Sequence, residues 1–195
     1  AIRRKRRENP NARIIVTGCA AQIKPEIWIA MQEVDAVVGN EEKLRRGVFD
    51  EGCPEIQVDD IMKVSQTAGH LPRRFSSRNR VFLQIQNGCD HDCTFCIIPS
   101  ARGKSRSVPL EDIIADAINL TESGYSEIVL TGVDIGDYGK DLSELSSLGD
   151  LVKRLLDSVP KLLRLRLSSI DPVEVDDLLF LQISKPLGSQ SSPSI

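Results

Sequence analysis

The alternation of short apolar strands with amphipathic helices over residues 80–167 constrains the fold of this chain most. Val81, Leu83 and Ile85 occupy alternate positions, as do Leu163, Leu165 and Leu167, and residues 127–131 have the apolar centre Ile-Val-Leu that is typical of a strand. Helical patterns lie between these runs, at 109–124 and 148–158. Strands that alternate with helices form parallel sheets, and active sites of such folds lie at the C-terminal strand ends. We therefore predict an α/β fold whose functional loops follow the strands.

A shorter α/β pattern precedes this region. Residues 13–17 and 36–38 have the composition of strands, and Pro25 suits the first turn of a helix between them. Residues 59–80 have no strong periodicity, and the last fourteen residues are rich in Ser, Pro and Gly. We predict an N-terminal domain at 1–58, a linker at 59–79, a second α/β domain at 80–181 and a disordered tail at 182–195.

The composition is that of a globular protein in a reducing compartment. Hydrophobic residues make up 41% of the chain and charged residues 27%. The sequence has neither a signal peptide nor an apolar run of the roughly 20 residues that span a bilayer, so we expect no membrane association. Three of the five cysteines lie within eight residues, which favours metal ligation in the cytoplasm over a disulfide framework.

Two basic stretches interrupt an otherwise acidic chain of net charge −3. Residues 1–13 carry six Lys or Arg against one Glu, and residues 72–107 carry seven against two Asp. Basic stretches of this kind are compatible with a polyanionic partner such as RNA. A solvated helix face at the start and a charged linker later explain each stretch equally well by itself.

Three cysteines in one loop supply the strongest chemical signal. Cys89, Cys93 and Cys96 have C-x3-C-x2-C spacing, and the loop follows the strand at 81–85. Three thiolates can hold three irons of a 4Fe–4S cubane and leave the fourth iron without a protein ligand, whereas an ordinary electron-transfer cluster is held by four cysteines. The alternative is a Cys3His zinc site that includes His91. Because His91 lies between the first two cysteines, the loop would have to be strained for all four side chains to converge on one ion.

The motifs in and around this loop resemble those of one family. The run Gln-Asn-Gly-Cys-Asp-His-Asp-Cys-Thr-Phe-Cys-Ile-Ile-Pro at 86–99 is similar to the cysteine loop of the radical-SAM tRNA methylthiotransferases. Residues 16–22, 102–107, 130–134 and 165–171 match further family motifs in the same order. Within this family, the motif sequences are most similar to those of the branch that modifies threonylcarbamoyladenosine beside the tRNA anticodon.

The resemblance implies a fold, an activity and cofactors. The fold is a partial Rossmann- or flavodoxin-like domain followed by the first half of a radical-SAM (β/α) partial barrel. The activity is insertion of a methylthio group at C2 of the modified adenosine, with tRNA as substrate, S-adenosylmethionine and two 4Fe–4S clusters as cofactors, and an external electron donor. The resemblance assigns Cys89, Cys93 and Cys96 to the radical-generating cluster and Cys19 to the second cluster.

The resemblance also indicates where S-adenosylmethionine binds. The positions concerned are Phe95 in the cysteine loop, the segment after the second barrel strand, and the rim of the next strand, that is, Gly132, Val133, Asp134, Ser168 and Ser169. No catalytic side chain is assigned. Ser100 departs from the family, which usually has an aromatic residue after Ile-Ile-Pro, and Cys53 has no counterpart and is interpreted as an incidental thiol.

Several parts of the family have no counterpart here, so we expect an incomplete member that cannot finish sulfur transfer by itself. The two other ligands of the second cluster, the closing half of the barrel and the RNA-binding domain are missing. Two other functions stay open. The first is another radical-SAM enzyme, which Cys19 and the N-terminal α/β segment disfavour. The second is a non-catalytic metal-binding module associated with RNA. For Cys19 itself, a buried small apolar residue is the alternative.

Overall fold

The computed structural model describes residues 1–50, 52–65, 79–144 and 146–184. The chain divides into two compact units, the first formed by Ala1–Ser65 and Asp90–Lys104, the second by Gln66–Cys89 and Ser105–Ile195. Most of the segment predicted as a linker, 66–78, and most of the predicted tail, 185–195, lie outside the described residues. The domain limits given above stay a prediction.

The first unit is built on a small parallel sheet. The central strand β2 (Ala36–Val38) pairs in parallel with β1 (Ile15–Thr17) on one side and with β3 (Ile56–Gln57) on the other. Pro25 opens the third helix, as the sequence predicts. The elements of this unit are α1 (Ile2–Glu8), β1 (Ile15–Thr17), α2 (Cys19–Ile23), α3 (Pro25–Ile29), β2 (Ala36–Val38) and β3 (Ile56–Gln57).

The second unit contains a three-stranded parallel sheet. Its strands β4 (Arg80–Gln84), β7 (Glu127–Thr131) and β8 (Arg164–Leu167) lie side by side, with β7 in the centre. Between β4 and β7 come β5 (Gln86–Asn87), α4 (Ile98–Arg102), β6 (Arg106–Ser107) and α5 (Leu110–Glu122). Of these, α4 belongs to the first unit, and β5 pairs antiparallel with β6 in the second. The predicted α/β class with parallel strands is confirmed.

Two helices cover one face of this sheet, and local sequence signals set their ends. Helix α5 follows Pro109, has Glu111 and Asp112 in its first turn, and stops before Gly124, which has a φ of 95°. Helix α6 (Leu148–Ser158) begins with a capping box in which the Ser147 hydroxyl and the Asp150 carboxylate each accept from the other's backbone N–H.

The apolar sides of these elements form the core of the second unit. In the part of the chain that the structure describes, this core cluster contains 22 buried residues, among them Leu83, Ile128, Leu130 and Leu165 from the sheet. A last helix, α7 (Asp177–Ile183), packs against α6 and extends two residues into the predicted tail. Among the described helices, none has the length and apolar character needed to cross a bilayer.

Candidate functional site

The loops that sequence reasoning selected follow neighbouring strands of one parallel sheet. Gly132, Val133 and Asp134 come directly after β7, and Ser168 and Ser169 come directly after β8. The Ser168 amide donates to the Leu130 carbonyl at 3.0 Å, which joins the ends of these two strands. Because the strands are parallel, both loops lie at the C-terminal edge of the sheet.

Cys89 is fixed at the same edge. It is buried, and it follows β5 through Gly88, whose φ of 79° favours glycine. Its thiol donates to Oδ2 of Asp134, with 3.5 Å between Sγ and the oxygen. The structure therefore places one predicted cluster ligand next to the loop predicted to bind S-adenosylmethionine.

The other two loop cysteines belong to the first unit. Cys93 is exposed and Cys96 is half-buried, and the Cys96 amide donates to the Cys93 carbonyl at 2.9 Å. None of the five cysteines, all of which lie in described segments, is in a disulfide bond. Three thiols that are not consumed by disulfides, two of them at least partly exposed, fit the thiolate donors that a 4Fe–4S cluster requires. The ligand set itself stays a prediction, as does the role of Phe95, which is 92% exposed.

Cys19 opens α2, directly after β1 and Gly18, whose φ is 109°. The side-chain nitrogen of Asn40 lies 3.9 Å from its sulfur and also donates to the Ala101 carbonyl in α4 at 2.8 Å. Helices α2 and α4 pack against each other within the first unit. Cys19 therefore lies beside the helix that directly follows the cysteine loop in the chain.

Lys43 brings a positive charge near this position. The Lys43 ammonium donates to the side-chain oxygen of Asn40 at 2.9 Å. Burial lowers the pKa of Lys43, and the charge of Arg102 lowers it further, while Cys19 and Glu41 act in the opposite direction. Cys53, by contrast, donates to the Gly47 carbonyl at 3.2 Å, and its interpretation as an incidental thiol stays a prediction.

Two functional candidates were missed by sequence reasoning. Gln86 and Asn40 are buried polar residues, and each hydrogen-bonds beside a predicted cluster cysteine. A weak signal for each exists, because both are amide residues at the end of an apolar strand pattern, Gln86 directly after Ile85 and Asn40 two residues after Val38. Their partners lie far away in the chain, at a separation of 61 residues for Asn40 and Ala101.

Much of the first basic stretch is engaged in ion pairs. Arg3 pairs with Glu33, Arg4 and Lys5 with Glu8, and Arg6 with Asp35. Arg6 also donates to the carbonyls of Pro10, Ala12 and Glu33, so it stabilises the fold rather than presenting a free charge. In the second stretch Arg73, Arg74 and Arg78 lie outside the described residues, Arg80 pairs with Glu127, and Arg106 is buried.

A cleft of about 630 Å³ in the first unit shares no lining residue with the candidate site. Residues of α2, the segment after β3 and the start of α4 line it. None of the predicted cysteine or S-adenosylmethionine positions is among them, although Ser100, the residue that departs from the family pattern, is.

Comparison with known proteins agrees with this geometry. The model of the radical SAM superfamily matches residues 83–179, which include the cysteine loop and the three strand ends described above. A threonylcarbamoyladenosine tRNA methylthiotransferase from Rickettsia prowazekii is 51% identical over 180 residues, which are 92% of this chain and 43% of that protein. The protein of the same name from Bacillus subtilis is 40% identical, over 90% of this chain and 40% of its own length.

A relative named for a different modified adenosine also matches. The tRNA-2-methylthio-N(6)-dimethylallyladenosine synthase from Halalkalibacterium halodurans is 32% identical over 94% of this chain and 35% of its own length. The chain thus spans less than half the length of these curated relatives.

Proposed function

Since the chain belongs to the radical SAM superfamily, we propose that it forms part of a tRNA methylthiotransferase. The proposed reaction is insertion of a methylthio group at C2 of threonylcarbamoyladenosine beside the anticodon. Support for this choice comes from the 51% and 40% identity to two proteins named for that activity, against 32% to the one named for dimethylallyladenosine.

The observation that carries the proposal is the position of Cys89, the first of the three cysteines, at the sheet edge. Cys89 contacts Asp134, and Asp134 belongs to the loop that follows the central strand β7. Clefts at the C-terminal ends of parallel strands are where α/β proteins bind small ligands. A cluster held by Cys89, Cys93 and Cys96 would then lie next to Gly132–Asp134.

The cofactors of a radical SAM protein are a 4Fe–4S cluster and S-adenosylmethionine, and together they supply a carbon radical that abstracts hydrogen. The residues of this chain have simpler roles in the proposal. Cys89, Cys93 and Cys96 ligate iron, and Gly132, Val133, Asp134, Ser168 and Ser169 bind and orient the sulfonium cofactor. Phe95, exposed in the same loop, is assigned to the cofactor as well.

Cys19 is proposed to ligate the second cluster of the complete enzyme. Its support is the packing of α2 on α4, which brings Cys19 beside the segment that follows the loop cysteines. The ammonium of Lys43 donates to Asn40, whose side-chain nitrogen lies 3.9 Å from the Cys19 sulfur.

The remaining parts of the proposal concern partners and compartment. The tRNA is the proposed substrate, an external electron donor reduces the cluster, and the cytoplasm is the proposed location because tRNA is modified there. Phosphate contacts would make tRNA binding fall with added salt. The ion pairs of α1 leave Arg7 as the main candidate in the first stretch for such contacts.

The test is anaerobic reconstitution of the chain with iron and sulfide. Single variants Cys89→Ala, Cys93→Ala and Cys96→Ala should each abolish the brown chromophore and the electron paramagnetic resonance signal of the site. Cys53→Ala is the matched control, since it removes a thiol of the same chain that the proposal leaves unused. Adding S-adenosylmethionine to the reduced wild-type cluster should change its resonance signal.

The outcomes separate the candidate functions. Retention of a full cluster in the triple loop variant contradicts the ligand assignment. A cluster that does not respond to S-adenosylmethionine favours the non-catalytic metal-binding module. A responsive cluster in a chain that shows no salt-sensitive affinity for tRNA favours a radical-SAM enzyme with another substrate.

A further inference from the structure

Gln86 is a buried amide whose two ends are both fully engaged. Its side chain is 0% exposed, and a buried amide without hydrogen bonds would be strongly destabilising. Its oxygen accepts from the backbone amides of Val133 and Asp134, at 3.0 and 2.9 Å. Its nitrogen donates to the Gly88 carbonyl at 2.8 Å and to the Ser105 hydroxyl at 2.9 Å.

These partners fix the orientation of the amide. Two N–H donors face one end, and a carbonyl faces the other, so exchanging the oxygen and the nitrogen would oppose donor to donor and acceptor to acceptor. The side chain therefore spans two segments that are 47 residues apart in the chain. One segment leads directly into Cys89, and the other is the loop after β7.

Gly132 provides a second, independent sign of this close fit. A Cβ at that position would lie 2.8 Å from the side-chain oxygen of Gln86 and 2.8 Å from a methyl carbon of Ile135. Any larger residue would have to displace the amide from its two backbone donors. Glycine at 132 and glutamine at 86 are thus matched to each other.

The contact between the two segments lies next to this amide. The thiol sulfur of Cys89 and a carboxylate oxygen of Asp134 are 3.5 Å apart. The Gln86 side chain hydrogen-bonds next to both of these groups, to the Gly88 carbonyl just before the cysteine and to the backbone amide of Asp134. Ser105, bonded to the same nitrogen, closes the cysteine segment before β6. One side chain thus holds both ends of that segment and the opposing loop.

We propose that Gln86 is a positioning residue that holds Cys89 and the Gly132–Asp134 loop in a fixed mutual arrangement. Because it acts through backbone groups, it contacts neither iron nor cofactor. Resting on the proposed function, it sets how well a cluster at Cys89 and S-adenosylmethionine at the opposing loop meet. Its loss should leave the thiols able to bind iron but weaken the response of the cluster to S-adenosylmethionine.

The first measurement uses the full chain without cofactors. Gln86→Leu removes every hydrogen bond of the side chain, so hydrogen exchange of the Val133 and Asp134 amides should accelerate by about tenfold or more. Gln84→Leu is the matched control, since the Gln84 side-chain nitrogen has no hydrogen-bond partner among the described residues. It should leave both exchange rates unchanged.

A conservative variant separates positioning from packing. Gln86→Glu has nearly the same shape as the wild-type glutamine, and unlike Gln86→Leu it keeps an oxygen that can accept from both amides. Protection of Val133 and Asp134 should therefore return to within about threefold of wild type. If Gln86 acted through packing alone, the leucine variant, which introduces no buried polar group, should protect the Val133 and Asp134 amides at least as strongly as the glutamate variant.

The second measurement uses the reconstituted cluster. Gln86→Leu should retain wild-type iron content, while the apparent Kd for S-adenosylmethionine, read from the resonance signal of the reduced cluster, rises by about tenfold. Equal Kd values in Gln86→Leu and wild type, or unchanged exchange at Val133 and Asp134, would overturn the inference. A wild-type cluster that ignores S-adenosylmethionine counts against the proposed function instead, and the exchange measurement then still decides the role of Gln86.

Discussion

The two units of this chain hold their candidate cysteines in similar ways but are stabilised differently. In the second unit the described core cluster has 22 buried residues, whereas that of the first has three, Ala21, Val34 and Val37, with partly buried side chains packed around them. The first unit relies more on buried polar contacts, notably those of Gln22 and Asn40. In both units, a buried amide lies beside the cysteine.

This difference shows which properties each unit gains from its sequence. A large apolar core gives stability in proportion to the surface that it buries, and it tolerates a polar residue at its edge. A small unit depends on each hydrogen bond, because an unmade one costs as much as a lost methyl group or more. We therefore expect substitutions of buried apolar residues to cause the largest losses of unfolding free energy in the second unit. Substitutions of buried polar residues should have relatively larger effects in the first.

The chain carries natural probes for this comparison. Its one tryptophan, Trp28, packs on the core of the first unit, and its two tyrosines, Tyr125 and Tyr138, are buried in the second. Tryptophan fluorescence and the near-ultraviolet tyrosine signal therefore report on different units during urea unfolding.

The largest effect is expected for Leu130→Ala in the centre of the parallel sheet. Leu130 is 0% exposed, and truncating a fully buried leucine costs about 2–5 kcal/mol of unfolding free energy through lost burial and the cavity left behind. Urea unfolding followed by the tyrosine signal measures it. Leu163→Ala, at a residue that is 68% exposed, is the control and should change little.

The fluorescence of Trp28 decides whether the comparison holds. If the two units are stabilised separately, Leu130→Ala shifts the tyrosine transition much more than the tryptophan transition. An equal shift of both would show that the chain unfolds as one cooperative body, and the distinction drawn above would be lost.

The regular part of the second unit was predictable because its physical cause is local. Strands at 81–85, 127–131 and 163–167 were expected, and β4, β7 and β8 cover most of them, since alternation and apolar runs reflect burial on one or both faces of a sheet. Helices α5 and α6 begin at local signals, Pro109 and Ser147, and both helices were predicted from the sequence.

What escaped prediction depends on partners distant in the chain. The pairing of Gln86–Asn87 with Arg106–Ser107 involves strands of two residues, too short to show a period. Helix α7 was missed because Asp177–Ile183 adjoins a tail of low complexity, and its burial comes from α6. The role of Gln86 needed both Gly88 and Val133, which only the folded chain brings to one side chain.

A second prediction tests the polar side of the comparison. Asn40→Leu removes the donor to the buried end of α4, the Ala101 carbonyl, and the acceptor for the Lys43 ammonium. Leaving these groups unsatisfied should cost about 1–3 kcal/mol, seen as an earlier tryptophan transition in urea. Asn119→Leu, the same change on the exposed face of α5, is the control. A stability equal to wild type would mean that the first unit does not depend on this amide.

The smallest effect is expected at an ion pair of the first unit, Asp35 with Arg6. The Asp35 carboxylate accepts from the Ile14 amide at 2.6 Å and lies 2.5 Å from the Arg6 guanidinium. The Ile14 hydrogen bond lowers the pKa of Asp35, burial opposes this, and the charges of Arg6 and Arg13 lower it further. Because its side chain is 40% exposed, solvent screening keeps its contribution below about 1 kcal/mol.

The sign of this contribution fixes its pH dependence. A carboxyl whose pKa is lower in the folded chain stabilises the fold above its unfolded pKa, about 3.9, and loses that contribution as the pH falls through the folded pKa. Asp35→Asn keeps an oxygen for the Ile14 amide but loses the charge, so it should unfold slightly earlier than wild type at pH 7. The difference should shrink as the pH falls through the lowered pKa of Asp35 in the folded chain. Asp50→Asn, at an exposed position of the same unit, is the control. A deficit that persists unchanged at low pH would assign the effect of Asp35 to hydrogen-bond geometry instead of charge.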